Sequence, residues 1–299
     1  MEGLSVVINT LNEEKNLPSA ITSIKDLASE IIVVDMYSDD KTTKIAKKLG
    51  AKVFMHDKTN YVEPARNFAI SKASCDWILI LDADEEIPPK LSKEIKKIVK
   101  DSKADYFRLP RKNIIFGKWI KDSGWWPDYN IRLFRKNFVS WNEIIHTVPI
   151  TTGIGADLKD SEDLAIIHHN YQSIEQFIDR MNRYTTIQAK IAFGKKENFN
   201  WQNLIKKPLS EFLNRYYSLQ GYKGGLHSLS LCLLQAASEL VKELKLWQLY
   251  KFNDQKITFK ENMNVIKESQ KEFNYWIHDT NFKETGSVKS KIKRKFRLS

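Results

Sequence analysis

Apolar and polar positions fall into blocks along the first third of the chain. Val6-Val7-Ile8, Ile31 to Val34 and Trp77-Ile78-Leu79-Ile80-Leu81 are short unbroken apolar runs, each ending abruptly in polar residues. Runs of this length without alternation predict strands buried on both faces, as in a parallel sheet covered by helices. Ala51-Lys52-Val53-Phe54 predicts a further short strand. Lys44 to Leu49 and Pro64 to Lys72 predict helices between them. Ser38, Asp39 or Asp40 stands where the first of these needs a cap, and Gly50 where it needs an end. Strands alternating with helices over about 80 residues imply a parallel α/β sheet.

In open sheets of this kind, ligands bind beyond the carboxyl ends of the strands. Three predicted strand ends carry polar clusters: Thr10/Asn12/Glu13, Asp35/Asp39/Asp40 and Asp82/Asp84. Two carboxylates two residues apart in extended chain face the same side. Hard oxygen donors at that edge suit Mg²⁺ or Mn²⁺ carried in with a phosphorylated substrate. Asp-x-Asp is a weak motif by itself; the buried strand in front of Asp82 gives it weight. Arg66 sits where the helix after Pro64 begins, and helix N-termini favour anions. It is a candidate nucleotide contact, with a surface ion pair as the equal alternative.

The order VVINTLNEE, VVDMYSDDKT and ARNFAISKASCDWILILDADE resembles the nucleotide-binding half of family 2 glycosyltransferases, which have the GT-A fold. Within that family the chain is most similar to the subgroup acting on bacterial lipopolysaccharide core or related glycolipids. The resemblance covers residues 4–150 and continues weakly to about residue 250. It implies metal-dependent, inverting transfer of a sugar from a nucleotide sugar, with UDP as the expected nucleotide. It implies that Asp35 contacts the base, with Asp40 a second candidate. Thr10, Asn12 and Glu13 would line base and ribose, and Asp82 and Asp84 would serve ribose and metal. The chain departs from the family pattern at Tyr37, where a Gly is usual. It has Pro127-Asp128 in place of an acidic pair, and His146-Thr147 where relatives have His-Glu.

Residues 105–116 and 131–135 predict strands around a loop, 117–130, that holds Trp119, Trp125, Trp126 and Tyr129. Aromatic faces pack on the C–H faces of sugar rings and equally anchor loops, so Trp126 is a candidate substrate contact. Asp128 is the candidate catalytic base, because a hydroxyl acceptor must lose its proton as it attacks the anomeric carbon. The leaving nucleoside diphosphate would be stabilised by the metal as a Lewis acid. His146 follows a strand-like run, Trp141 to Ile145, and is a candidate metal ligand or a structural histidine with equal weight. Arg132 and Arg135 are candidates to help hold the diphosphate, but arginine in an exposed strand is common enough that no role is expected; His168-His169 is expected to be structural, since neighbours on a strand face opposite ways.

Beyond residue 170, Ile174 to Ala192, Trp201 to Leu219 and Leu226 to Leu249 predict helices, with a breaker at Gly221 to Gly225. Their apolar faces, interrupted by charges, fit either a helical bundle or a pair lying on a membrane interface. The expected organisation is a GT-A catalytic domain over 1–170 and a helical, basic, membrane-associating extension over 171–299. The acceptor would be a glycolipid, or a polyprenyl-linked one, since DADEEIPP also resembles polyprenyl-phosphate glycosyltransferases. A non-catalytic sugar-nucleotide or membrane-binding protein is the remaining class.

Composition narrows these readings. The chain has 299 residues, 42% apolar and 28% charged, as a folded protein with a sizeable core does. Its two cysteines, Cys75 and Cys232, have no metal or redox spacing, which suits the cytoplasm. MEGLSVV leads directly into the first predicted strand, so no signal peptide is expected, and no apolar run of membrane-spanning length exists. A cytoplasmic protein, peripheral at the inner face of the plasma membrane, is the expectation. The net charge of +11 is uneven: residues 1–150 hold 24 basic and 21 acidic residues, residues 151–299 hold 24 and 16. The tail 289–299, KSKIKRKFRLS, suits an anionic membrane surface or a solvated end. No nucleic-acid-binding signature accompanies the charge.

Overall fold

The computed structural model of the chain describes residues 3–58, 63–141 and 149–296. Its first half runs β1 (Leu4–Thr10), α1 (Leu17–Ile24), β2 (Glu30–Asp35), α2 (Thr42–Lys48), β3 (Lys52–Met55), α3 (Glu63–Ser71), β4 (Trp77–Asp82), β5 (Glu85–Glu86) and α4 (Pro89–Asp101). Then follow β6 (Tyr106–Ile115), β7 (Lys118–Trp119), β8 (Asp128–Arg135), β9 (Val139–Ser140), β10 (Ile150–Thr151), β11 (Gly155–Asp157) and β12 (Ile166–Tyr171). The remainder is helical: α5 (Ile174–Gly194), α6 (Asn203–Leu213), α7 (Leu226–Leu249), α8 (Phe259–Thr285) and α9 (Val288–Phe296). The chain divides into two compact units, Met1–Ile114 with Trp126–Asn170, and Ile115–Trp125 with Tyr171–Ser299.

In the first unit the strands order as β3-β2-β1-β4-β8-β6-β12-β5. The first four are mutually parallel, whereas β8 runs antiparallel to both β4 and β6. The apolar runs do not alternate because both faces of β1 and β4 are covered. Val6, Ile8, Leu79 and Leu81 pack with Leu17 and Ile21 of α1 and Leu91 and Ile95 of α4. Val7, Ile78 and Ile80 pack with Ala69 of α3, Phe134 and Trp141 on the other face. Each fully buried side chain of this size contributes about 1.5–3 kcal/mol. Parallel register puts Thr10 opposite Asp35, and Asn9 opposite both Val34 and Asp82, so the polar strand ends lie side by side.

In the second unit, α5 and α6 pack on α7, and α9 on α8. Lys207 of α6 reaches the buried Glu243 of α7 at 2.6 Å. The helix after Trp201 ends as α6 and a π-turn, Asn214–Ser218. At the breaker, a Cβ on Gly221 would lie 2.5 Å from Ser123 Oγ and 2.8 Å from the Arg215 carbonyl, so only glycine fits. Thr258 and Glu261 form a reciprocal capping box at the start of α8. Among the described residues, no helix is long and apolar enough to cross a membrane.

Candidate functional site

Asp35, at the end of β2, is fully buried. Its Oδ1 accepts from Thr10 Oγ1 (2.9 Å) and Ser38 Oγ (2.6 Å), and its Oδ2 from Ser38 N (2.8 Å). Asn12 clips the loop after β1 to the loop after β2: its N donates to Ser38 Oγ and its Oδ1 accepts from Asp39 N, both at 2.8 Å. Glu13 N donates to Thr42 Oγ1 (2.8 Å), and Glu13 Oε2 accepts from Asn16 Nδ2 (2.8 Å). Asp40 accepts from the Thr42 N–H and hydroxyl at the start of α2 and from Glu14 N (3.0 Å). Burial would push the Asp40 carboxyl up, but these hydrogen bonds hold it below its ordinary value. Side chain-to-backbone bonds thus preform this rim.

Beside it, six charged side chains from four strands and a helix form one chain of contacts. Asp82 Oδ1 accepts from Arg66 Nη2 (3.0 Å) and Oδ2 from Arg132 Nη2 (2.6 Å). The same Arg132 nitrogen donates to Glu85 Oε1 (2.6 Å), which also accepts from Arg111 Nη1 (3.2 Å). Glu85 Oε2 accepts from Asp82 N (2.9 Å), closing the turn after β4. Arg111 then grips Asp128 Oδ2 through Nη2 (2.6 Å) and Nε (2.9 Å). Glu85 and Arg132 are buried, while the Asp82 and Asp128 side chains remain 29% and 28% exposed. Burial alone would push Asp82 up, yet the charges of Arg132, Arg66 and Arg111 hold it well below the usual carboxylate range. Burial likewise opposes the charge of Arg132, and Asp82 and Glu85 override it, raising the guanidinium above its ordinary value. Asp128 is lowered too: Arg111 and the Asn113 amide outweigh burial. Its Oδ2 is saturated by Arg111 and Asn113, whereas Oδ1 accepts from Asn130 Nδ2 (3.1 Å) and keeps capacity for another proton donor.

Asn113 joins this chain to a histidine. Its Nδ2 donates to Asp128 Oδ2 (3.1 Å), so its Oδ1 is the acceptor facing His168 Nδ1 at 2.6 Å. Nδ1 is therefore the donor to that oxygen, and Nε2 lies 3.5 Å from Asp84 Oδ2. His169 faces elsewhere and meets Glu86 Oε1 at 3.0 Å. Trp126 is half-buried, joined by a cis peptide bond to Pro127 directly ahead of Asp128. His146 lies outside the described residues.

Among the described residues, no group of three or more His, Cys, Asp and Glu is gathered to hold a metal. A cation bound with a diphosphate needs only one or two protein donors, its other positions going to phosphate and water. Asp84 and His168 fit that demand, and a histidine oriented through its second nitrogen is a common device in metal sites. Both Asp82 oxygens, by contrast, already face guanidinium groups.

The family model described as Glycosyl transferase family 2 matches residues 5–154, half of the chain. An uncharacterised glycosyltransferase of Rickettsia typhi is 34% identical over 242 residues, which cover 77% of this chain and 82% of the relative. The chain belongs to glycosyl transferase family 2. It is a glycosyltransferase with the GT-A arrangement, a mostly parallel sheet flanked by helices. The lipopolysaccharide core biosynthesis glycosyltransferase LpsC of Rhizobium meliloti is 24% identical over 254 residues, 82% of this chain and 92% of LpsC. Among solved structures, S. aureus TarS 1–349 in complex with UDP aligns over 86% of this chain and 94% of its own, with 16% identity and a TM-score of 0.46.

The strand ends were visible in the sequence, where Arg132 and His168 also stood out but were expected to be idle and structural; Glu85, Arg111 and Asn113 were not. Arg111 and Asn113 share a face of β6, as Asp128, Asn130 and Arg132 share one of β8. That spacing was legible. Opposing the two faces required the β6–β8 register, which pairs Arg111 with Asp128.

Proposed function

We propose that this glycosyltransferase moves a sugar, with inversion, from a nucleotide sugar to a hydroxyl of a lipopolysaccharide-type glycolipid at the cytoplasmic face of the membrane. The observation that carries the reading is the continuous chain from Asp82 through Arg132, Glu85 and Arg111 to Asp128, beside the Asp84–His168 pair. The donor's base sits against Asp35, Thr10, Asn12 and Glu13, with UDP the expected nucleotide; Asp40 holds the α2 end of that rim. Asp84 and His168 would hold a divalent cation, with Asp82 and His146 as further candidates, and when bound it would supply charge neutralisation on the departing diphosphate. Arg66 and Arg132 add positive charge beside Asp82, where the diphosphate lies. Trp126 flanks the acceptor sugar. Asp128, kept ionised by Arg111, takes the acceptor proton on Oδ1, the oxygen with spare capacity, as the hydroxyl attacks the anomeric carbon and the bond to the diphosphate breaks. The similarity to LpsC supports the acceptor class.

Titration calorimetry with UDP, with and without Mn²⁺, tests the donor half: binding that needs the cation and disappears in Asp84→Ala is expected. Equal binding without the cation would overturn the metal assignment. Asp128→Asn should keep that binding and lose transfer to a hydroxyl acceptor by about 10²–10⁴-fold; full activity would remove Asp128 as base.

A further inference from the structure

The last helix is built inside out. At about 100° per residue, Val288, Ile292 and Lys295 fall on one side of α9, and Ser290 and Arg294 on the other. The polar side is the one that docks. Ser290 is 4% exposed and accepts from Asn281 Nδ2 (2.7 Å), and Arg294 Nη1 donates to Asp279 Oδ1 (2.8 Å) on α8. The apolar side faces water: Val288 is 68% exposed and Ile292 52%. Exposed Lys289, Lys291 and Lys295 stand around these two. A helix serving only as a solvated end gains nothing from showing Val and Ile while its serine is buried.

We propose that α9 seats the protein on an anionic lipid surface. Charge complementarity selects this occupant. Three exposed lysines ringing two apolar side chains match a negatively charged headgroup layer over acyl chains, where the lysines stay at the phosphates and Val288 and Ile292 enter the boundary. The ion pair to Asp279 and the Ser290 contact fix the helix so that this face points outward. The half of the chain containing α9 carries the larger charge excess, 24 basic against 16 acidic residues in 151–299. For its purpose the assignment rests on the lipid-borne acceptor of the proposed function; for its chemistry it rests on α9.

The test is co-sedimentation of the full chain with phosphatidylcholine vesicles, with and without phosphatidylglycerol, in the absence of donor and acceptor. Partition should require phosphatidylglycerol and fall as salt rises. K289Q/K291Q/K295Q should weaken it by about 100-fold, from a roughly fivefold loss per lysine. V288S/I292S should weaken it by about tenfold or more. Both variants leave Ser290, Arg294 and Asp279 in place, and thermal melting checks that each stays folded. UDP binding by the same variants should be unchanged, which separates failure of the docking assignment from failure of the donor site. No partition of the wild type, undiminished partition of either variant, or loss of a wild-type dimer in the variants would overturn the assignment, the last by making a second copy the occupant.

Discussion

Glu30 offers a measurement that needs no substrate. Its side chain is only 7% exposed, at the start of β2. Oε1 accepts from Ser5 Oγ (2.6 Å), Ser74 N (2.6 Å) and Ser74 Oγ (2.8 Å), and Oε2 from Lys52 Nζ (2.8 Å). One carboxylate thus ties β1, β2, β3 and the turn into β4. Burial would push it up, but Lys52, Ser5 and Ser74 together bring it from 4.5 to about 2. That gap is worth about 3 kcal/mol at 1.36 kcal/mol per pH unit. Lys52 is 63% exposed, so solvent screens its share, leaving about 2 kcal/mol. Because the folded value is depressed, the contribution is complete above about 4.5 and is lost as pH falls towards about 2. Glu30→Gln, followed by hydrogen exchange of β1 and β2 amides, should cost about 2 kcal/mol near neutral pH. Near pH 3 the cost should fall to less than half of that. A neutral-pH loss under about 0.5 kcal/mol, or an equal loss at both pH values, would refute the assignment of this carboxylate as a charged tie.

Other expectations concern the site. Glu85→Ala leaves Arg132 buried beside a lost partner and should destabilise the first unit by about 3–5 kcal/mol, read by urea unfolding; a loss under about 1 kcal/mol would mean the arginine is otherwise compensated. His168→Ala should weaken Mn²⁺-dependent UDP binding by about tenfold or more in calorimetry while cation-free binding stays put; an unchanged cation dependence would remove His168 from the metal. Arg111→Gln removes the charge that lowers Asp128, so the acid limb of kcat/KM should move to higher pH. An unmoved limb would show that Asp128 is not the group titrating in that profile.

Much of the first unit was legible because local signals sufficed. Unbroken apolar runs marked β1, β2 and β4, and their polar ends marked Thr10, Asp35 and Asp82, since a strand buried on both faces can turn polar only where it leaves the sheet. The helix boundaries at Ile174 and at Leu226–Leu249 followed from periodicity and breakers. The basic tail read equally as solvated chain; its docking through Arg294 and Ser290 depends on α8 partners that no local pattern marks.

The sequence alone therefore determined the fold class, the family and the polar strand ends that lie side by side at the sheet edge, because burial and turn chemistry act over a few residues. Only the tertiary structure decided that Arg132, expected idle, bridges Asp82 and Glu85, and that His168 faces Asp84. Period-two alternation says which residues share a face of a strand, not which strand lies next to it. That neighbour is chosen by packing the whole sheet between its helices, across separations of 50 residues for Asp82–Arg132 and 55 for Asn113–His168.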